Sequence, residues 1–139
     1  MATEIISNPA RVWEFVSGYI PVPVVSGMKG IGLLRNGVMQ AGVLYEGFNG
    51  RNVWMHVAAA PGGKWMTREF LRYAFHYPFV EMGVERVSGA VDASNKQAQK
   101  LDEHLGFVEE TRLNGAAADG GDVILYVMWK KDCRHVDPQ

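Results

Sequence analysis

Apolar and polar positions along the chain follow two rhythms, one of period two and one near 3.6, and the switches between them mark the elements. The first segment is helical. Asn8 stands as an N-cap ahead of Pro9 at the first helical position, Trp13, Val16 and Tyr19–Ile20 form an apolar stripe, and Pro21 and Pro23 stop it. A glycine-rich stretch at 26–32 leads into apolar runs at 31–35 and 38–46, with Asn36-Gly37 between them. Asn-Gly between two such runs predicts a hairpin, because a type I′ turn needs positive φ at both central positions. Phe48-Asn49-Gly50 marks a second turn, and 52–60 continues the meander as a third strand.

Past Ala60-Pro61-Gly62-Gly63-Lys64 the period lengthens. Met66, Phe70, Tyr73, Ala74 and Tyr77 share a helical face, with Trp65 or Thr67 near its start and Pro78 ending or kinking it. Residues 79–82 add a turn closed by Gly83, and 84–92 is a strand of β-branched character. Ser94-Asn95 caps a further helix with Ala98, Leu101 and Leu105 at i, i+3 and i+7; Gly106-Phe107 is a Schellman-type stop. Runs at 107–113 and 123–130 are the last strands, joined by the Gly/Ala-rich 114–121, and 135–139 is a frayed tail. Helix, three strands, helix, strand, helix, two strands is the predicted order. Helices inserted between strands require at least one parallel pair among antiparallel hairpins, which predicts an α+β (mixed α/β) fold. The last strand is apolar on both parities, which predicts cover on both faces.

Composition narrows this picture. At 139 residues, with 47% hydrophobic and 21% charged, the chain is one globular domain, 1–139, able to build its core without a metal or disulfide staple. A net charge of −1 gives no bulk attraction to nucleic acid or to an anionic membrane. The lone Cys133 has no partner for an internal disulfide, no apolar run approaches about 20 residues, and no basic leader opens the chain. The expectation is a cytoplasmic protein. His56, His76, His104, His135 and Cys133 show no ligand spacing, so no metal site is expected, and no Ser sits in a Gly-x-Ser-x-Gly elbow.

Two segments carry chemistry. The first runs from Ala60 to Thr67, where glycine-rich backbone ahead of a helix offers unpartnered N–H groups as an anion cradle. It is neither a Walker A loop nor Gly-x-Gly-x-x-Gly, and an ordinary strand-to-helix turn stays open as the alternative. The second is Asn95-Lys-Gln-Ala98-Gln-Lys-Leu101-Asp-Glu-His-Leu105-Gly106-Phe107. With this segment the chain resembles the Gcn5-related N-acetyltransferase (GNAT) superfamily. Flanks that agree are Arg72-Tyr73-Ala74-Phe75, Glu85-Arg86-Val87, Glu109-Glu110-Thr111 and Gly121-Asp122 leading to Tyr126. The likeness is greatest to the branch that acetylates ribosomal-protein N-termini, and the short length is shared with phage-type members. It covers about 31–134.

The resemblance implies acetyl-CoA as co-substrate and an amine acceptor, either a small molecule or a protein N-terminus or lysine. It implies that the strand through Val57, Ala58 and Ala59 pairs with pantetheine, that the loop of Gly62, Gly63, Lys64, Trp65, Met66 and Thr67 takes the pyrophosphate, and that Asn95 meets the pantetheine arm. Lys64, Lys96 or Lys100 would meet a phosphate; a solvated surface lysine is the plainer reading of the last two. By analogy with dimers of the family, Leu125, Val127 and Trp129 would cover a neighbour's sheet edge in a homodimer.

The sequence also departs from the family pattern. Asp102 stands where many members carry Tyr, Ala98 where the N-terminal-acetylating branch often has Ser, and Trp65 and Met66 fill loop positions that are commonly small. An amine attacking a thioester must first be neutral, which at pH 7 costs a lysine-like amine about 4.6 kcal/mol. His56, Glu46 and Tyr126 are the candidate proton-handling residues; a sheet-bound histidine, a solvated strand-end carboxylate and a satisfied core tyrosine are the structural alternatives. Val57 to Ala59 offer backbone N–H groups to an oxyanion. The function expected is acetyl transfer to a primary amine by direct attack. A non-catalytic acyl-CoA or partner-binding module and a nucleobase-modifying enzyme are the rivals, the latter disfavoured by the neutral charge.

Overall fold

The computed structural model describes residues 2–62 and 64–136. Its first half comprises β1 (Thr3–Ser7), α1 (Pro9–Val16), β2 (Lys29–Arg35), β3 (Val38–Glu46) and β4 (Asn52–Ala59). The second half adds α2 (Arg68–His76), a π-helical turn at Tyr77–Glu81, β5 (Arg86–Asp92), α3 (Lys96–Leu105), β6 (Val108–Leu113) and β7 (Val123–Trp129). The strands form one sheet in the order β1-β2-β3-β4-β5-β7-β6. Every neighbouring pair is antiparallel except β4–β5, which is parallel. This is the mixed α+β sheet read from the pattern.

Local chemistry explains most of the boundaries. Asn36 and Gly37 both take positive φ, 51° and 79°, and join β2 to β3. Asn8 caps α1 by accepting from the Arg11 N–H, Thr67 caps α2 through Phe70 N–H, and Asn95 caps α3 through Ala98 N–H. Gly106, at φ 114°, ends α3 in the left-handed conformation, with its own N–H and that of Phe107 both returned to the Asp102 carbonyl. Helix α2 ends at His76, and Pro78, lacking an N–H, sits in the widened turn Tyr77–Glu81 that follows, closed by Met82 N–H on Tyr77 O.

The helices cover the sheet unevenly. Helix α1 packs over β2, β3 and β4, and Gly30, Gly32 and Gly42 clear the surface beneath it. The larger core on the opposite face gathers Tyr45, Val53, Phe70, Phe75, Leu105 and Tyr126, among others. There the Tyr45 hydroxyl donates to Ala74 O at 2.6 Å and fixes α2. Among the described residues no helix is long and apolar enough to cross a membrane.

Three expectations need correction. Strand β1 was not predicted: Thr3–Ser7 has two adjacent isoleucines instead of an alternation, because it forms the partly exposed edge of the sheet. Strand β7 is only partly covered on its second face: Ile124, Tyr126 and Met128 are buried on one face and Val127 on the other, where Leu125 and Trp129 are half-buried and α1 does not reach. It lies between β5 and β6, so β6 is the edge on that side. The tail is anchored as far as it is described: His135 stacks on Phe75 with centroids 4.6 Å apart and bonds to Leu105 O at 2.6 Å, while 137–139 lie outside the described residues.

Candidate active site

The site begins where a ladder ends. Strands β4 and β5 pair over Asn52–Trp54 and Arg86–Ser88 alone, then separate, although β4 continues to Ala59 and β5 to Asp92. A polar network fastens the paired end. Ser88 Oγ donates to Asn52 Oδ1 at 2.6 Å and accepts from the Arg86 guanidinium at 3.1–3.2 Å. Arg86 also holds Glu110 in a two-pronged ion pair at 3.0 and 3.1 Å and lies over the Trp129 ring. Glu110 occupies the register shift in β6, which lets it turn toward Arg86 without breaking the β6–β7 ladder.

Beyond Trp54 the β4 backbone is paired on one side, to β3, and no strand takes its other side. Alternate residues of a strand turn both N–H and C=O to the same side, so every second residue from Met55 onward presents a donor and an acceptor to the gap. Two cavities lie end to end there and share Val57, Asn95 and Ala98 as lining. The outer one, about 470 Å³, runs between Val57–Gly62 of the β4 edge and its loop and the α3 residues Gln97, Lys100, Leu101 and His104. Tyr19, Trp65 and Met66 complete its wall. The inner one, about 260 Å³, is lined by Met55 and His56 of β4, Ala90 to Asp92 of β5, Asp102 of α3, and Ile20 and Pro21 after α1.

His56 and Glu46, read from sequence as competing bases, are one unit. Residues 44, 46 and 56 share a sheet face through the β3–β4 register, and His56 Nε2 lies 3.0 Å from Glu46 Oε2. A carboxylate only accepts, so Nε2 carries the proton and donates it, and in the neutral ring Nδ1 then holds the lone pair. The pair is mostly buried, with side chains 18% and 21% exposed. Tyr126 lies elsewhere, outside both linings. Its hydroxyl donates to Glu103 at 2.9 Å, and its pKa is pushed up to about 12 by burial and by that bond.

Of the residues expected around a nucleotide-thioester, Val57, Ala58, Ala59, Gly62, Trp65, Met66, Asn95 and Lys100 all line the outer cavity. Lys64 and Thr67 do not; the Lys64 carbonyl accepts from Arg35, Thr67 caps α2, and Gly63 lies outside the described residues. The Asn95 cap engages only its side-chain oxygen, so its amide N–H groups are not consumed by it. Asp102 is the residue the sequence reading undervalued, registered only as the absence of a tyrosine. Its pKa is pushed up to about 7 by burial and then by the neighbouring Glu103 carboxylate. The available signal was its place at i+4 from Ala98 and i−3 from Leu105, on the inward stripe of α3. Among the described residues no three His, Cys, Asp or Glu side chains gather as a metal-binding group.

This architecture has known counterparts. No protein-family model matches the chain, and no curated protein matches it in sequence. Among solved structures, an N152L mutant of the spermidine N-acetyltransferase SpeG from Vibrio cholerae superposes with a TM-score of 0.75 at 15% identity, over 93% of this chain and 94% of that one. The dodecameric structure of spermidine N-acetyltransferase from the same organism in an intermediate state gives 0.73 at 16% identity, over 93% and 94%. A probable acetyltransferase gives 0.64 at 21% identity, over 76% of this chain and 64% of that one. Likeness at such identities is one of fold, and the fold is that of the GNAT-type N-acetyltransferases.

Proposed function

We propose that the protein is an acetyl-CoA-dependent N-acetyltransferase that moves the acetyl group directly to a primary amine. The observation that carries the proposal is the parting of β4 from β5 after three residue pairs, which leaves a strand edge without a partner along one wall of a cleft. An extended chain of amides and carbonyls such as pantetheine can add to that edge as a short strand would. Acetyl-CoA supplies the activated acetyl group, and everything else falls to this chain's residues. The β4 edge and the amide of Asn95 orient the donor along the outer cavity. Lys100 gives the outer cavity a cationic side chain suited to a phosphate-bearing ligand.

In the inner cavity His56 Nδ1 takes the proton that the amine must lose, and Glu46 holds the ring in the tautomer this requires and stabilises the imidazolium that forms. No Lys or Arg lines the inner cavity, whereas Asp92 does, which suits an acceptor that arrives as a cation. The sequence resemblance to enzymes acetylating ribosomal-protein N-termini and the structural likeness to polyamine acetyltransferases both favour a primary amine. The test has two parts. Acetyl-CoA at 100 times its Kd is expected to stabilise the fold by about 2.7 kcal/mol, read as a melting shift. A panel of amines, from polyamines to peptide N-termini, is expected to release free CoA thiol with at least one member. The absence of any melting shift at millimolar acetyl-CoA overturns the proposal.

A further inference from the structure

Asp102 is a titratable group that the mechanism above leaves without a task, and its setting is costly. It sits on the inward stripe of α3 between Ala98 and Leu105, where an apolar side chain would serve packing better. Among the described residues no side chain or backbone N–H bonds to its carboxyl, which borders the inner cavity. Its Oδ2 stands over Gly89, 3.8 Å from where a β-carbon would sit there, beside the Met55 carbonyl at the same distance. Gly89 and Met55 are the first residues past the paired segment of β5 and β4. The carboxyl therefore lies where the strands begin to part, in the same cavity as His56.

The groups around Asp102 favour its protonated form. Glu103 follows it on α3, the Tyr126 hydroxyl of β7 bonds that glutamate, and Asp92 of β5 and His56 of β4 share the cavity wall. The only residue in that lining able to carry positive charge is His56. A carboxyl with its protonated form favoured at one wall and an imidazole hydrogen-bonded to a carboxylate at another are placed to act as acid and base.

We propose, building on the acetyltransferase reading, that Asp102 is the proton donor to the leaving thiolate. In that step the amine nitrogen bonds to the acetyl carbon, the carbon–sulfur bond breaks with its electron pair on sulfur, and the Asp102 carboxyl gives its proton to that sulfur. The acceptor's ammonium gives one proton to solvent on becoming the neutral amine, and His56 Nδ1 takes the second as the amide forms, so the turnover closes when that second proton returns through water from His56 to Asp102. No net oxidation occurs and no further reactant is needed.

The experiment compares acetyl donors that differ in how much their leaving group needs a proton. Against acetyl-CoA, Asp102→Asn is expected to lower kcat about 100-fold while the acetyl-CoA melting shift is retained. Against an acetylated nitrothiophenol, whose thiolate is stable at neutral pH, the same variant is expected to run within about 3-fold of wild type. In the free protein, carbon-13 NMR of labelled aspartate carboxyls is expected to show one resonance titrating near pH 7 that Asp102→Asn removes. Asp102→Leu, which suits the apolar stripe, carries the donor comparison should the Asn variant not fold, and Asp102→Glu is expected to recover part of the rate. Equal loss with both donors, an Asp102 resonance titrating in the ordinary carboxylate range, or rates unaffected in Asp102→Asn would each overturn the assignment. Wild-type protein that binds acetyl-CoA yet acetylates no amine would instead overturn the catalytic reading beneath it, and this role with it.

Discussion

At the scale of residues, the His56–Glu46 contact joins two candidates into one hydrogen-bonded unit. His56→Ala is expected to lower kcat about 100-fold with acetyl-CoA affinity nearly unchanged, because His56 lines the inner cavity only. Glu46→Gln keeps an oxygen for the ring N–H but not the charge, and about a 10-fold loss is expected. The double variant should lose no more than His56→Ala alone, since the glutamate acts through the imidazole. Steady-state rates on the four proteins check this, and additive losses would contradict it.

Asp102 makes a separate prediction for stability. Its folded pKa of about 7 lies above the ordinary 3.8, so between these values the folded state binds a proton that the unfolded chain has lost. Stability therefore falls as pH rises through that window and stays low above it. Asp102→Asn, having no such proton to lose, should match wild type near pH 4 and exceed it by about 1–4 kcal/mol at pH 8, discounted because the carboxyl borders a cavity. Urea unfolding at the two pH values reads the difference. The sequence offered His56 and Glu46 as separate candidates, because they are ten positions apart and only the β3–β4 register makes them diagonal neighbours.

At the scale of elements, α1 lies so close to the sheet that β2 has glycine beneath it. A β-carbon on Gly30 would fall 3.0 Å from Val12 Cβ and 3.1 Å from the Pro9 α-carbon, both in a helix that cannot give way locally. On Gly32 the nearest atom, at 2.8 Å, is the sulfur of Met39, a side chain that can turn aside. Gly30→Ala is therefore expected to cost about 1–3 kcal/mol and Gly32→Ala distinctly less, measured by chemical denaturation. The Gly30 change should also raise KM for the acceptor, because the chain leaving α1 carries Ile20 and Pro21 to the inner cavity wall.

Elements with strong end signals were legible from sequence for this same reason of local chemistry. Asn8, Asn36-Gly37, Thr67, Asn95 and Gly106 each fix a cap or a turn by their own bonding or φ preference. Strand β1 and the incomplete cover of β7 were not legible, because each depends on a neighbour distant in sequence. Thr3–Ser7 becomes a strand only by pairing with Ile31–Arg35, and the outer face of β7 stays half-open because α1 is too short to reach it.

At the scale of the whole molecule, the sheet is a closed ladder everywhere except between the far ends of β4 and β5. The parallel pair was predictable from the order of helices and strands, but its early end was not, since nothing in 84–92 marks where pairing stops. A junction of Asn52, Ser88, Arg86 and Glu110, drawn from three strands, fastens the end that stays paired. Glu110→Ala should free Arg86 and loosen the paired end, and it is expected to slow turnover more than it lowers the melting temperature.

The shared lining of the two cavities bears on how the proposed transfer would run. Each cavity has residues of its own, and they meet at Val57, Asn95 and Ala98, so donor and acceptor can occupy the protein together without passing one another. Cys133, the single thiol, lines neither cavity and has no place to hold an acetyl group between half-reactions. Initial-rate lines measured at several fixed acceptor concentrations should therefore converge to an intersection when plotted in double reciprocal form, and a parallel set would mean that the first product leaves before the second substrate arrives.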